Sequence, residues 1–288
     1  MKKFLPSELI VNASGSIYHL DIKPEEIAHK IIVVGDQDRV KDVAKHFDTI
    51  THESKKREFS CSTGMYMGKK LSVLSTGIGT DNIDIVINEL DALVNIDLAT
   101  RTEKKEKTKL EILRIGTCGI LQPDIPVDSF ILSTHAMGID NIGHFYQLQT
   151  DDKTENLLKE IKAQVKLPEQ VIPYLTPASN EINKRLKSND VVEGITVTSS
   201  GFYGPQGRKL RLPLTAPEMN DSLDAFHHEG NRFSNLEMEC SALFALCTAL
   251  GHEASAICLG LANRRKKEFS TNYKVKMDEL ITFVLDRF

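Results

Sequence analysis

The stretch IIVVGDQDRV at residues 31–40 places four β-branched residues in a row, stops them at Gly35 and continues with a polar, helix-starting segment. A short apolar run of this kind is the signature of a strand buried on both faces, and the glycine is where such a strand turns toward a helix. Working outward, comparable runs occur at Leu71 to Leu74, Ile112 to Ile115, Phe130 to Leu132, Ile195 to Val197 and Ala256 to Leu261. Between and after them lie helical patterns of period 3.6. The clearest are Ile83, Val86, Ile87, Leu90, Leu93 and Val94, and then Met277, Leu280, Ile281, Val284, Leu285 and Phe288. Strands alternating with amphipathic helices predict a three-layer α/β/α sandwich with a central mixed, largely parallel sheet. No linker interrupts the pattern, so residues 1–288 are read as a single domain. The run RTEKKEKTK at 101–109 and the polar region from about 205 to 235 break the pattern and are expected to be loops or insertions.

Composition narrows the class. The chain has 288 residues, 41% hydrophobic and 26% charged, with 40 acidic against 36 basic side chains. Folding at this length buries roughly 75% of the unfolded surface, enough for a large core. A net charge of −4 and a pI near 6.2 give no basic field for a polyanion, so a nucleic-acid partner is not expected and a small substrate is. The five cysteines lack a CxxC pair or zinc-like spacing, which argues against a disulfide framework or a metal site and suits a reducing compartment. Pro6, Ser7 and Glu8 interrupt the N-terminal apolar stretch before a signal-peptide core forms, and no run approaches ~18 apolar residues. A cytoplasmic protein with no membrane contact is the expectation.

Five segments hold residues suited to chemistry. In GDQDRV, the Gly35 backbone and Arg39 one helical turn later suit an anion, although a plain turn with a surface arginine reads the same. In LRIGTCGILQP, Arg114 lies inside an apolar strand and is followed by Thr117. A buried guanidinium needs an acidic neighbour or a bound anion. STGIGT at 75–80 resembles a dinucleotide loop, but Asn82 stands where the third glycine belongs. NLEMECSALFALCTALG opens with Glu237, Met238 and Glu239. Glu237 suits a helix dipole, Glu239 suits a vicinal diol, and Met238 offers an apolar surface to a sugar face. In SSGFYGPQGRKLR, turn chemistry explains the glycines and Pro205. Phe202, Tyr203, Gln206 and Arg208 remain: an amide that matches the imide edge of a nucleobase and a guanidinium that stabilises a carbonyl gaining charge.

Taken in order, YHL (18–20), GDQDRV (35–40), REF (57–59), STGIG (75–79), LRIGTCG (113–119), GFYGPQGR (201–208), LEMECSA (236–242) and ANR (262–264) resemble the nucleoside phosphorylases of the purine and uridine type, most of all the uridine-cleaving branch. The resemblance implies phosphorolysis of an N-glycosidic bond, with Arg114, Glu239 and Arg208 catalytic. It implies a phosphate site of Gly35, Arg39, Arg114 and Thr117, with Arg57 from a neighbouring subunit. Ribose would contact Glu237, Met238 and Glu239, and His19 of the neighbour would bond its 5′-hydroxyl. The base would meet Phe202, Gln206, Arg208 and Arg264. Homodimers with shared sites follow, in some members three to a hexamer. Inorganic phosphate would be a co-substrate, with no metal and no organic cofactor.

Some positions depart from that pattern. Gln37 replaces a usual proline, and the glycine and proline order of GFYGPQGR differs. Asn82 replaces a serine that accompanies a monovalent-cation site near Glu58 in some relatives, which argues against potassium dependence. The insertion at 101–109 argues for a dimer over a hexamer. Purine enzymes place an aspartate near Ala262, Asn263 and Arg264, where this chain has none. A purine-cleaving enzyme, a nucleosidase of the same fold and a non-catalytic nucleoside binder remain alternative readings.

Overall fold

The computed structural model describes residues 2–288. Alternation along single strands dictates its layers. In β1 (Lys30–Val34), Ile31 and Val33 join one buried cluster while Ile32 and Val34 join another. Successive side chains point to opposite faces, so a strand apolar throughout must be covered on both sides.

After β1 the chain forms α1 (Gln37–Ala44), β2 (Thr49–Lys56), β3 (Phe59–Tyr66), β4 (Lys69–Ser75) and α2 (Thr80–Asn95). A small ribbon, β5 (Ile96–Asp97) and β6 (Thr102–Glu103), precedes β7 (Glu111–Ile120) and β8 (Phe130–Gly138). There follow α3 (Asp152–Gln164), β9 (Tyr174–Pro177), α4 (Asn180–Leu186) and β10 (Val191–Thr198). The last third holds α5 (Met219–Ala225), β11 (His227–His228), β12 (Asn231–Glu237), α6 (Cys240–Leu250), β13 (Glu253–Asn263), β14 (Glu268–Phe269) and α7 (Tyr273–Arg287).

Twelve strands make one mixed sheet in the order β11-β12-β10-β8-β13-β7-β1-β4-β3-β2, with β9 beside β8 and β14 beside β13. Strands β4, β1, β7 and β13 run parallel, as do β8, β10 and β12, and an antiparallel β13–β8 pairing joins the two sets. Strand β12 also pairs with β7, which closes β7, β13, β8, β10 and β12 into a ring. Helices α2 and α6 cover one face, where Ile83, Val86 and Leu90 pack with Leu243 and Phe244. Helices α1, α4 and α7 cover the other through Val40, Val43, Ile182, Met277 and Leu280. The layers are those expected. Among the described residues no helix is long and apolar enough to cross a membrane.

Three differences from the expectation have physical causes. The polar region 205–235 contains α5 and the start of β12. Met219 and Leu223, four residues apart, bury one face of that short helix with Phe226 and Phe233. Strand β12 is buried despite its polarity because the oxygens of its polar side chains find partners: Ser234 Oγ donates to Ile195 O (3.3 Å) and Thr196 Oγ1 to Asn235 Oδ1 (3.0 Å). The 101–109 run is a loop only after β6. Its start is pinned by Phe4 N–H donating to Arg101 O (2.9 Å) and Lys104 N–H donating to Asn95 O (2.8 Å).

Candidate active site

A cleft of about 1060 Å³ opens where β1, β7 and β12 end and the segment after β10 crosses them. Parallel strands leave their ligand crevice at the carboxyl ends, where connections diverge. Gly35, Arg39, Arg114 and Thr117 line one end of it. Phe202, Gln206, Arg208 and Arg264 line the other, and Glu237, Met238 and Glu239 lie between.

Arg114 sits mid-strand in β7, 4% exposed, on the same face as Ile112 and therefore toward α6. Its Nη2 donates to Glu239 Oε2, and its Nε lies 3.6 Å from Glu237 Oε2. Burial alone would lower its pKa, but the carboxylates of Glu239 and Glu237 outweigh that and raise it above the ordinary value. Of the two partners that the sequence allows for this guanidinium, the acidic one is present. Among the described residues, Nε and Nη1 nevertheless have no hydrogen-bond acceptor, and an anion in the cleft would supply one.

Glu239 is itself fixed, since its Oε1 accepts the Gly79 N–H at 2.8 Å. Gly79 has φ +99°, a conformation that favours glycine, so the STGIG turn positions this carboxylate. Arg39 projects from the first turn of α1, 8% exposed, with its Nη2 donating to the Tyr273 hydroxyl at 2.7 Å. A Cβ added at Gly35 would meet Gly77 O at 3.6 Å and Arg114 Nη2 at 3.8 Å.

Glu237 was expected at the ribose, yet its carboxylate serves the start of α6. It accepts the Glu239 N–H (2.8 Å), the Cys240 N–H (3.0 Å) and the Thr198 hydroxyl (2.5 Å). The helix-dipole role read from sequence describes these bonds. Burial, and then the charge of Glu239, push its pKa up to about 8 against the pull of Arg114. Met238 is half-buried at the cleft wall.

The other end rests on irregular backbone. Past β10, a short 3₁₀ turn at Gly204–Gln206 holds Gln206 2% exposed, with its Oε1 accepting from Arg208 Nη1. Arg264 Nη2 donates to the Gln206 carbonyl at 2.6 Å. The Arg208 guanidinium lies over the Phe202 ring, 3.7 Å from its centroid, and donates to the Phe202 carbonyl. Burial and then the charge of Arg264 bring its pKa down to about 10. Asn263, by contrast, is fully buried and donates to Gln122 O (2.9 Å) and Ile125 O (3.0 Å), a structural role.

Two expected residues do not reach the cleft within this chain. His19 Nδ1 lies 2.6 Å from Glu89 Oε1, and Glu89 also accepts the backbone N–H of His19 and Leu20. Arg57 is exposed at the β2–β3 turn with φ +55°. Tyr273, which touches Arg39, was not singled out from sequence. It stands at the polar start of α7, and the apolar periodicity there draws attention to Met277 and Leu280. Phe269 of β14 also lines the cleft, and a lone aromatic after RRKK gave no signal.

The chain matches the family model described as "Phosphorylase superfamily" over residues 29–285. It is 28% identical to a uridine phosphorylase of Thermococcus kodakarensis, covering 93% of this chain and 85% of that one. It is 27% identical to the Escherichia coli uridine phosphorylase, covering 93% and 94%. In structure it resembles a Trypanosoma brucei nucleoside phosphorylase described as showing uridine phosphorylase activity, with TM-score 0.90, 29% identity and coverage of 97% and 99%. Order of motifs, mixed sheet, cleft and family match agree, and the chain belongs to the phosphorylase superfamily.

Proposed function

We propose that this protein cleaves the N-glycosidic bond of uridine with inorganic phosphate, giving uracil and ribose 1-phosphate. The observation that carries the reading is one cleft with unpartnered Arg114 Nε and Nη1 beside Arg39 at one end, and an amide with two guanidiniums at the other. Uridine phosphorylases are among its relatives, and the structural neighbour at 29% identity shows that activity. Phosphate would sit between the Gly35 backbone, Arg39, Arg114 and Thr117. Met238 and Glu239 would hold the ribose. Gln206 would read the imide edge, Phe202 would pack on the nucleoside, and Arg208 with Arg264 would stabilise uracil as it leaves with negative charge. No covalent nucleophile is needed. The reaction requires a positioned phosphate dianion and a clamped sugar with positive charge growing at its anomeric carbon.

The base end favours a pyrimidine, because Asn263 is turned into the interior and, among the described residues, Arg208 and Arg264 donate to uncharged oxygens of Phe202 and Gln206. The whole chain, 1–288, would act as one domain, in a homodimer where His19 and Arg57 complete the partner's site. Both lie outside this chain's own cleft. The reaction needs neither metal nor organic cofactor. All five cysteines are buried free thiols, which supports a cytoplasmic setting.

The test is an absorbance assay on uridine, thymidine and inosine, each with and without phosphate. Uridine should be consumed fastest and only with phosphate. Equal rates without phosphate would make the protein a nucleosidase, and faster cleavage of inosine would move it to the purine branch.

A further inference from the structure

We propose that Tyr273 is a positioning residue for phosphate, acting through Arg39. The proposal rests on the phosphorolytic reading of the cleft. An arginine side chain loses much rotational freedom when its guanidinium is held in one place, so a site that uses one gains from fixing it before the anion arrives. The two arginines at the anion end are fixed differently. Arg114 is held by the Glu239 carboxylate, with Glu237 3.6 Å away, and shares its charge with Glu239. Arg39 has no carboxylate partner among the described residues and is held by the neutral Tyr273 hydroxyl at 2.7 Å. That hydroxyl orients the guanidinium without neutralising it, so the full charge of Arg39 faces the cleft.

The support is itself rigid. Tyr273 opens α7, and Arg39 lies in the first turn of α1. The two helices share a core in which Val40 and Val43 join Met277, Leu280 and Ile281. A second contact joins the C-terminal end of α1 to α7 little more than one turn past Tyr273, with Lys45 Nζ at 2.6 Å and His46 Nε2 at 3.2 Å from Asp278 Oδ1. The shared buried core thus fixes α1 beside α7 and holds Tyr273 next to Arg39. Tyr273 itself is partly buried and does not line the cleft.

Replacing Tyr273→Phe keeps the packed ring and removes one oxygen. The expected result is a phosphate KM raised roughly ten-fold, in line with loss of a hydrogen bond to a charged group. The kcat at saturating phosphate and the KM for uridine should stay within about two-fold of wild type. Calorimetric titration with inorganic phosphate alone should show the same weakening. An unchanged phosphate KM, or a uridine KM that rises in parallel, would overturn the proposal. Wild-type protein serves as the separate control: if it cleaves uridine without phosphate, the functional reading fails. If wild type depends on phosphate and Tyr273→Phe saturates like it, only the role of Tyr273 fails.

Discussion

The two ends of the cleft are built in opposite ways. At the phosphate end, Arg39 and Arg114 are 8% and 4% exposed, Arg39 on the buried face of α1 and Arg114 inside the sheet. At the base end, Gln206 and Arg208 stand on irregular backbone after β10, beside Phe202 and Tyr203, which are 50% and 54% exposed. An anion whose shape is the same in every turnover can be met by groups frozen into the sheet. A base that distinguishes one nucleoside from another is met by a segment that can change without disturbing the core. If that division is right, loss of a buried, paired arginine at the phosphate end should disturb folding and chemistry together, and substitutions at the base end should disturb chemistry alone.

Arg114→Ala should separate the two ends most sharply. It leaves the Glu239 carboxylate buried without its cation, which costs about 3–5 kcal/mol of stability. Turnover should fall by on the order of 10²- to 10³-fold with a much weaker phosphate dependence. Chemical denaturation and phosphate saturation measured on the same preparation check both halves. Arg208→Ala should then reduce uridine turnover by roughly 10²-fold while leaving the denaturation midpoint nearly unmoved and the phosphate KM close to wild type. A large loss of stability there would break the division.

Smaller effects sharpen it. A Cβ at Gly35 meets only ordinary contacts, the nearest being Gly77 O at 3.6 Å. Gly35→Ala should therefore fold normally and raise the phosphate KM by about ten-fold by intruding on the anion, as steady-state kinetics would show.

The smallest expected effect concerns pH. Folded Glu237 holds its proton to about pH 8, whereas the unfolded carboxyl releases it near 4.5. Between those values the native state binds the extra proton, so this group's contribution to stability is lost as pH rises from about 4.5 through 8. Glu237→Gln should flatten that part of the stability profile, measured by thermal unfolding across pH. It should also blunt any weakening of phosphate binding above pH 8, because no new negative charge then appears beside Arg114.

How much was legible in the sequence follows from the same contrast. Strands β1, β4, β7, β8, β10 and β13 announce themselves because each carries a short, mainly apolar run buried on both faces. The β2–β3 hairpin and β12 do not. The residues of β2, THESKK at its core, alternate between exposed and half-buried, and β12 buries Ser234 and Asn235, whose partners lie on another strand. The arginines and carboxylates of the cleft could be picked out because charge inside an apolar run demands a partner. Which partner could not be read: that Arg114 meets Glu239, 125 residues away, depends on α6 packing beside β7. Glu237 shows the limit most clearly. Its neighbour Glu239 has the same side chain, and only the turn between β12 and α6 decides that Glu237 caps the helix while Glu239 faces Arg114. Tyr273 is invisible for a similar reason, since a tyrosine in a polar helix start acquires its role from a helix more than two hundred residues earlier.

The central claim is that phosphate, not water, receives the sugar. Phosphorus NMR of the protein turning over uridine in phosphate buffer tests it directly. The account predicts that the inorganic phosphate signal is converted to that of ribose 1-phosphate in step with the uracil released. Uracil appearing while inorganic phosphate stays constant would contradict it.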